Sequence, residues 1–217
     1  RKECLEPAET VICEINRNFP WCCGDDFKVH ISEIDYIIEN DNPLFELPEI
    51  PITDVEQKMA EYIVEMVPDG ATIQLGFGGL ANAIGHLLKG KKDLGMHSEV
   101  ITPSVTELIK AGTITCKKKN FYPGKVITAF AVGTNQFYKD IDHNEIFEFK
   151  EVHWVNQPEN IAKNDNLVSI NNTLMIDLTG QAASESIGVK QYSGTGGQVN
   201  FNQGAKMSKG GKRILSL

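Results

Sequence analysis

Two glycine clusters and the carboxylates near them are the parts of this sequence whose residue types could do chemistry. The first is Gly76-Phe-Gly-Gly-Leu-Ala81. Glycines let a backbone turn tightly, and ahead of a helix they leave amide donors at its positive end, where an anion or oxyanion can rest. The second is Ser193-Gly-Thr-Gly-Gly-Gln198, preceded by Gln191 and followed by Val199-Asn-Phe201, an amide-rich stretch suited to wrapping a ligand. Glu99, in His97-Ser-Glu-Val100, and Glu185, between two serines in Gln181-Ala-Ala-Ser-Glu-Ser-Ile-Gly188, supply carboxylates. A carboxylate is a poor nucleophile in water and a competent one when desolvated beside a bound electrophile.

Taken locally, these features leave alternatives open. Gly76, Gly78 and Ala81 also spell GxGxxA, with Glu99 about where a dinucleotide-binding fold keeps its ribose-binding acid. Gln74, a polar group in the strand before the glycines, counts against that, as do the hydrogen-bonding neighbours of Glu99. The plain alternatives are an ordinary strand-to-helix turn at Gly76–Gly79 and a surface carboxylate at Glu185. The five histidines offer no ligand pair at helical spacing and no GxSxG elbow occurs, so neither a metal nor a serine triad is expected. His97 is the one histidine beside a candidate site.

The elements that must position these residues follow from periodicity. Thr53-Asp-Val-Glu56 has the form of a capping box, and Val55, Met59, Ile63 and Val67 follow at helical spacing. Residues 71–75 read as a strand, 80–89 as a helix, 98–101 as a strand, 104–111 as a helix closed by Gly112, 125–132 as a strand and 135–141 as a helix. A strand at 147–152 and a short helix at 158–163 follow, then two strands, 167–171 and 174–178, before the glycine-rich C-terminal quarter. This alternation predicts an α/β fold, an open, largely parallel sheet with flanking helices. Near the N-terminus, residues 10–15 read as a strand and 31–39 as another short element. Pro43, Pro48 and Pro51 mark an extended connector between structural units.

Bulk properties narrow the function classes. A net charge of −8, from 21 basic and 29 acidic interspersed residues, gives no electrostatic footprint for nucleic acid. Lys117–Lys119 read as a solvated turn. Five cysteines, an odd number without paired zinc or redox spacing, read as reduced thiols. No run nears the roughly 18 apolar residues of a membrane span and no signal peptide is visible, so the expected location is the cytoplasm or an organelle matrix. Arg1 in place of Met, and a last segment, 213–217, that reads as a strand cut short, suggest a fragment of a longer chain.

Gln74-Leu-Gly-Phe-Gly-Gly79, His97-Ser-Glu-Val100, Ser184-Glu-Ser-Ile-Gly188 and Ser193-Gly-Thr-Gly-Gly-Gln-Val-Asn-Phe201 together closely resemble the acetyl-CoA hydrolase/transferase family, nearest its 4-hydroxybutyrate and butyryl-CoA:acetate CoA-transferase branch. His30-Ile-Ser-Glu-Ile-Asp-Tyr36, Lys92-Asp-Leu-Gly95 and residues 164–171 extend the likeness over nearly the whole sequence. The resemblance implies a CoA-transferase architecture, with residues 1–52 as the end of an N-terminal domain plus connector and 53–217 as most of a C-terminal catalytic domain. It implies that Glu99, rather than Glu185, is the catalytic carboxylate. Backbone amides near Phe77, Gly78, Gly196 and Gly197 would form the oxyanion hole and hold the thioester. Gln74, Gly76, Gly79, Gln191, Gly194 and Gln198 would contact substrate or CoA. Acyl-CoA and small carboxylic acids are the implied substrates, with no tightly bound cofactor and a homo-oligomeric assembly. Phe77 is bulkier than the aliphatic residue usual there, and Asn200 stands at an often acidic position.

Overall fold

The computed structural model describes residues 5–24 and 28–217. Near the N-terminus, β1 (Ile12–Ile15) pairs in parallel with β2 (Tyr36–Glu39), and these strands are mostly exposed. The stretch from Asn40 to Pro51 has no regular element. It is pinned to the main α/β body where Leu47 donates to the Gly133 carbonyl (2.9 Å) and the Tyr138 hydroxyl to the Phe45 carbonyl (2.8 Å).

The main α/β body begins at α1 (Asp54–Glu65). Thr53 accepts from the Glu56 amide (3.2 Å) while the Glu56 carboxylate accepts from the Thr53 amide (2.8 Å), so two orphan donors of the first turn are satisfied reciprocally. Thr53→Ala is expected to cost about 1 kcal/mol, read as a fall of about 2–4 °C in melting temperature; an unchanged melting temperature would show the cap to be redundant.

Then β3 (Thr72–Leu75), α2 (Gly79–Leu87), β4 (Gly95–Ile101), α3 (Pro103–Lys110), β5 (Val126–Ala131), α4 (Asn135–Ile141) and β6 (Phe147–Phe149) step across the sheet in one direction. Two short helices, α5 (Val152–Val155) and α6 (Pro158–Ala162), lead back to β7 (Leu167–Asn172) on the far side of β3. After a long excursion carrying the short hairpins β8–β9 (Met175–Ile176, Ala182–Ala183) and β10–β11 (Ser186–Ile187, Lys190–Gln191), α7 (Gln198–Met207) leads into β12 (Lys212–Ser216). The six main strands lie in the order β12-β7-β3-β4-β5-β6, all parallel.

Parallel strands covered on both faces are buried at consecutive positions, and Thr72–Leu75 is buried at every one, its polar Gln74 satisfied by hydrogen bonds. One face packs under α1–α4 around Ile73, Ile84, Met96, Leu108 and Phe137. The other is covered by α5–α7 over Ile127, Val155, Ile161, Phe201 and Ala205.

Some expectations change. The strand expected at 147–152 ends at Phe149, and Val152 already opens α5. The segment expected as a strand at 174–178 contributes only Met175–Ile176, which pairs with Ala182–Ala183 rather than with the main sheet. Lys119 is not in a solvated turn: it is 4% exposed, and its ammonium donates to the carbonyls of Met96 (2.9 Å) and Lys125 (2.7 Å) at the foot of the sheet. Burial lowers its pKa to about 8.

Candidate active site

In an open α/β sheet, ligands bind beyond the carboxyl ends of the strands where the strand order reverses. Here the chain runs outward from β3 to β6 and resumes at β7 beside β3, so the reversal falls at β3 and β7. A second feature opens the sheet nearby. Strands β3 and β4 pair only at Thr72 with Gly95 and Ile73 with Met96. Beyond that they splay, and the Ser98 hydroxyl bridges them by donating to the Leu75 carbonyl (2.8 Å). A cleft of about 260 Å³ lies there, walled by Gly76 and Phe77 after β3, Glu99 on β4, Asn171 and Asn172 at the end of β7, and the excursion from Ser184 to Gln198.

Glu99 is half-buried on β4, and its Oε2 accepts a hydrogen bond from Asn156 Nδ2 (2.8 Å). Asn156 follows the single turn of α5. The second glycine cluster meets this pair from the opposite wall: a Cβ added to Gly197 would overlap both Glu99 Oε2 and the Asn156 amide. Only a residue without a side chain lets the loop backbone come so close. Gly197 is also the N-cap of α7 and Gly78 the N-cap of α2, and neither cap has a side chain to satisfy the first-turn amides. Gly78 adopts φ +116°, which admits little but glycine. The first turns of both helices, at Leu80, Ala81 and Gln198, line the cleft, so two positive helix ends face the carboxylate's surroundings.

The cleft gathers Gln74, Gly76, Phe77, Glu99, Glu185, Gly194, Gly196, Gly197 and Gln198. Gln74 forms part of its floor in a reciprocal amide pair with Asn171, donating to Oδ1 (3.1 Å) and accepting from Nδ2 (3.0 Å), while Ser169 donates to the same Gln74 oxygen (2.8 Å). Four expected residues lie outside the lining. Gly78 faces a smaller neighbouring recess, Gly79 backs onto the Glu56 carboxylate, and Gln191 is exposed on β11. His97 is fully buried below the cleft. Sequence reasoning missed Asn156, Asn171 and Asn172. A turn asparagine before Gln157-Pro158 and a pair of asparagines ending a strand carry no periodic signal.

Burial drives the His97 pKa down to about 3, helped by the Lys119 charge and opposed by the bond to the Val155 carbonyl. The folded value lies below the ordinary 6.5, so between about 3 and 6.5 the unfolded chain binds the extra proton. Stability therefore rises with pH through that window, and each unit of acidification costs about 1.4 kcal/mol. Urea unfolding of wild type and His97→Gln at pH 7 and pH 4.5 should show the larger acid loss in wild type; equal losses would remove His97 as the cause.

Comparison with known proteins gives the fold a class. The crystal structure of 4-hydroxybutyrate CoA-transferase from Porphyromonas gingivalis superposes with a TM-score of 0.87 at 38% identity, over 99% of this chain and 51% of that one. The architecture is that of the CoA-transferases. The sequence is 48% identical over 216 residues to the 4-hydroxybutyrate coenzyme A transferase of Clostridium kluyveri, covering 100% of this chain and 50% of that protein. It is 40% identical over 220 residues to the butyryl-CoA:acetate CoA-transferase of Anaerostipes caccae, covering 98% and 49%. The acetyl-CoA hydrolase/transferase N-terminal domain model matches residues 1–47, and the C-terminal domain model matches residues 133–217. The chain belongs to the acetyl-CoA hydrolase/transferase family, and it spans about half the length of the curated relatives it matches.

Proposed function

We propose that this site, in the protein at the family's full length, moves coenzyme A between a short-chain acyl-CoA (acetyl-, butyryl- or 4-hydroxybutyryl-CoA) and a free carboxylate such as acetate. Residues 1–52 then end an N-terminal domain and 53–217 form most of the catalytic one. The observation that carries the reading is the seating of Glu99, held by Asn156 at 2.8 Å with the Gly197 backbone pressed against it. Glu99 attacks the thioester carbonyl, the C–S bond breaks, and a mixed anhydride and CoA thiolate result. The thiolate attacks the glutamyl carbonyl, releasing the first acid and leaving a glutamyl-CoA thioester. An incoming carboxylate attacks that thioester and the steps run in reverse, which makes the kinetics ping-pong. Each tetrahedral intermediate carries an oxyanion, and a preorganised amide donor there is worth about 3–4 kcal/mol. The amides of Phe77, Gly78, Gly196 and Gly197 are the proposed donors.

Full-length protein incubated with acyl-CoA and then treated with borohydride or hydroxylamine should carry its modification on Glu99. A label on another residue, or none, would move or remove the nucleophile. Hydrolysis is the second reading, favoured by Glu185, a further carboxylate in the cleft that could accept a proton from water attacking the same thioester. It predicts CoA release that added acetate does not convert into acetyl-CoA.

A further inference from the structure

We infer that His97 is a positioning residue for Glu99: its ring holds the last carbonyl of α5 and so sets the Asn156 amide against the carboxylate. The inference rests on the role proposed for Glu99. Helix α5 has four residues, and a helix that short leaves its closing carbonyls without intrahelical partners. The Val155 carbonyl, one peptide from Asn156, takes its bond from His97 Nε2 (2.8 Å). A carbonyl only accepts, so Nε2 carries the proton and Nδ1 is the acceptor for Asn164 Nδ2 (3.2 Å). Asn164 is itself fully buried, and its carbonyl accepts from the Ser208 hydroxyl (2.6 Å). The ring stacks on Trp154 (centroids 6.3 Å apart) and meets the edge of Phe201 (6.1 Å).

The peptide joining Val155 to Asn156 is planar, so fixing its oxygen fixes the nitrogen and Cα from which the Asn156 side chain springs. His97 and Glu99 are two apart on β4 and share a face. One rigid strand thus carries both the carboxylate and the strut for its hydrogen-bond donor. With no exposed surface, His97 cannot exchange protons with a substrate and acts only through Asn156.

Two polar variants in the full-length protein test this. Gln at 97 can bring an amide nitrogen to the place of Nε2, whereas Asn reaches only that of Nδ1. Thermal melts should show both folded. His97→Asn is expected to lower kcat about 100-fold, the scale of an ångström's misplacement at a reacting group, with little change in KM for acyl-CoA; His97→Gln should recover most of that loss. In an Asn156→Ala background the two should have the same kcat. Equal losses for both single variants, or an His97→Asn penalty undiminished without Asn156, would overturn the proposal. A second arm needs no turnover. The side-chain amide resonance of Asn156 in ¹⁵N-asparagine-labelled protein should shift in His97→Asn and stay near its place in His97→Gln. That pattern in a wild type unable to exchange CoA would sink the proposed reaction and leave the strut standing; an unmoved resonance in both would sink the strut itself.

Discussion

Glu99→Gln is expected to lower the rate of CoA transfer by about 10⁴-fold or more, the scale on which removing a covalent nucleophile acts. The amide keeps the shape of the side chain and an oxygen for the Asn156 donor, which now reaches Oε2 at 2.8 Å, so fold and acyl-CoA affinity should be retained. What disappears is the nucleophile. Steady-state transfer, acyl-CoA binding by calorimetry and borohydride labelling separate these effects. Loss of binding in parallel with turnover would recast Glu99 as a binding group. Glu99→Asp sharpens the test: it withdraws the carboxylate by one methylene and should cost about 100-fold. Label that persists undiminished in Glu99→Gln and vanishes in Glu185→Gln would transfer the assignment to the other carboxylate of the cleft.

The central sheet was legible in the sequence because its strands are buried on both faces, strands and helices alternate with clear periodicity, and its first helix starts on a recognisable cap. The Thr53 box, β3, β5 and α4 lie where periodicity put them, to within a residue or two. What was lost depended on partners far along the chain. Strand β4 begins at Gly95 rather than Ser98, because Gly95-Met-His has little strand character of its own and is held by pairing with Thr72 and Ile73. Helix α7 was not anticipated, since Gly204 and two asparagines dilute its pattern. Its glycine has a packing reason, as a Cβ there would run into Ile161 of α6. Lys119 read as solvent-facing because a lysine next to two others gives no hint that two strand carbonyls await it.

The candidate site divides the same way. Both glycine clusters and Glu99 stand out by composition, and they line one cleft although 121 positions separate Gly76 from Gly197. Asn156 does not stand out, because its importance lies in a distance to Glu99 that no local pattern encodes. His97 was visible as a neighbour in sequence, and strand geometry places it on the same face but one step deeper, where it can hold structure and cannot touch a substrate.

Gly197→Ala should separate the role of this loop from its fold more cleanly than any other single change. The Gly197 backbone has φ −92° and ψ 0°, a conformation alanine adopts, so the helix N-terminus it caps should survive. The added methyl has no room. It would overlap Glu99 Oε2 and the Asn156 amide, and either the carboxylate turns away from its donor or the loop withdraws its amides. Both movements misplace a reacting group by about an ångström, for which about 100-fold in kcat is the expected loss, while the melting temperature should fall by no more than a few degrees, about 1 kcal/mol. Because the methyl strikes only Glu99 and the Asn156 that holds it, the defect acts through the nucleophile, and Glu99→Gln, which has already lost that nucleophile, should mask it: transfer in the double variant should match Glu99→Gln alone, and acyl-CoA binding in Gly197→Ala should stay near wild type. A melting temperature that collapses with activity would mean that Gly197 serves the fold of the excursion. Full activity would mean that the loop and the carboxylate do not meet during turnover.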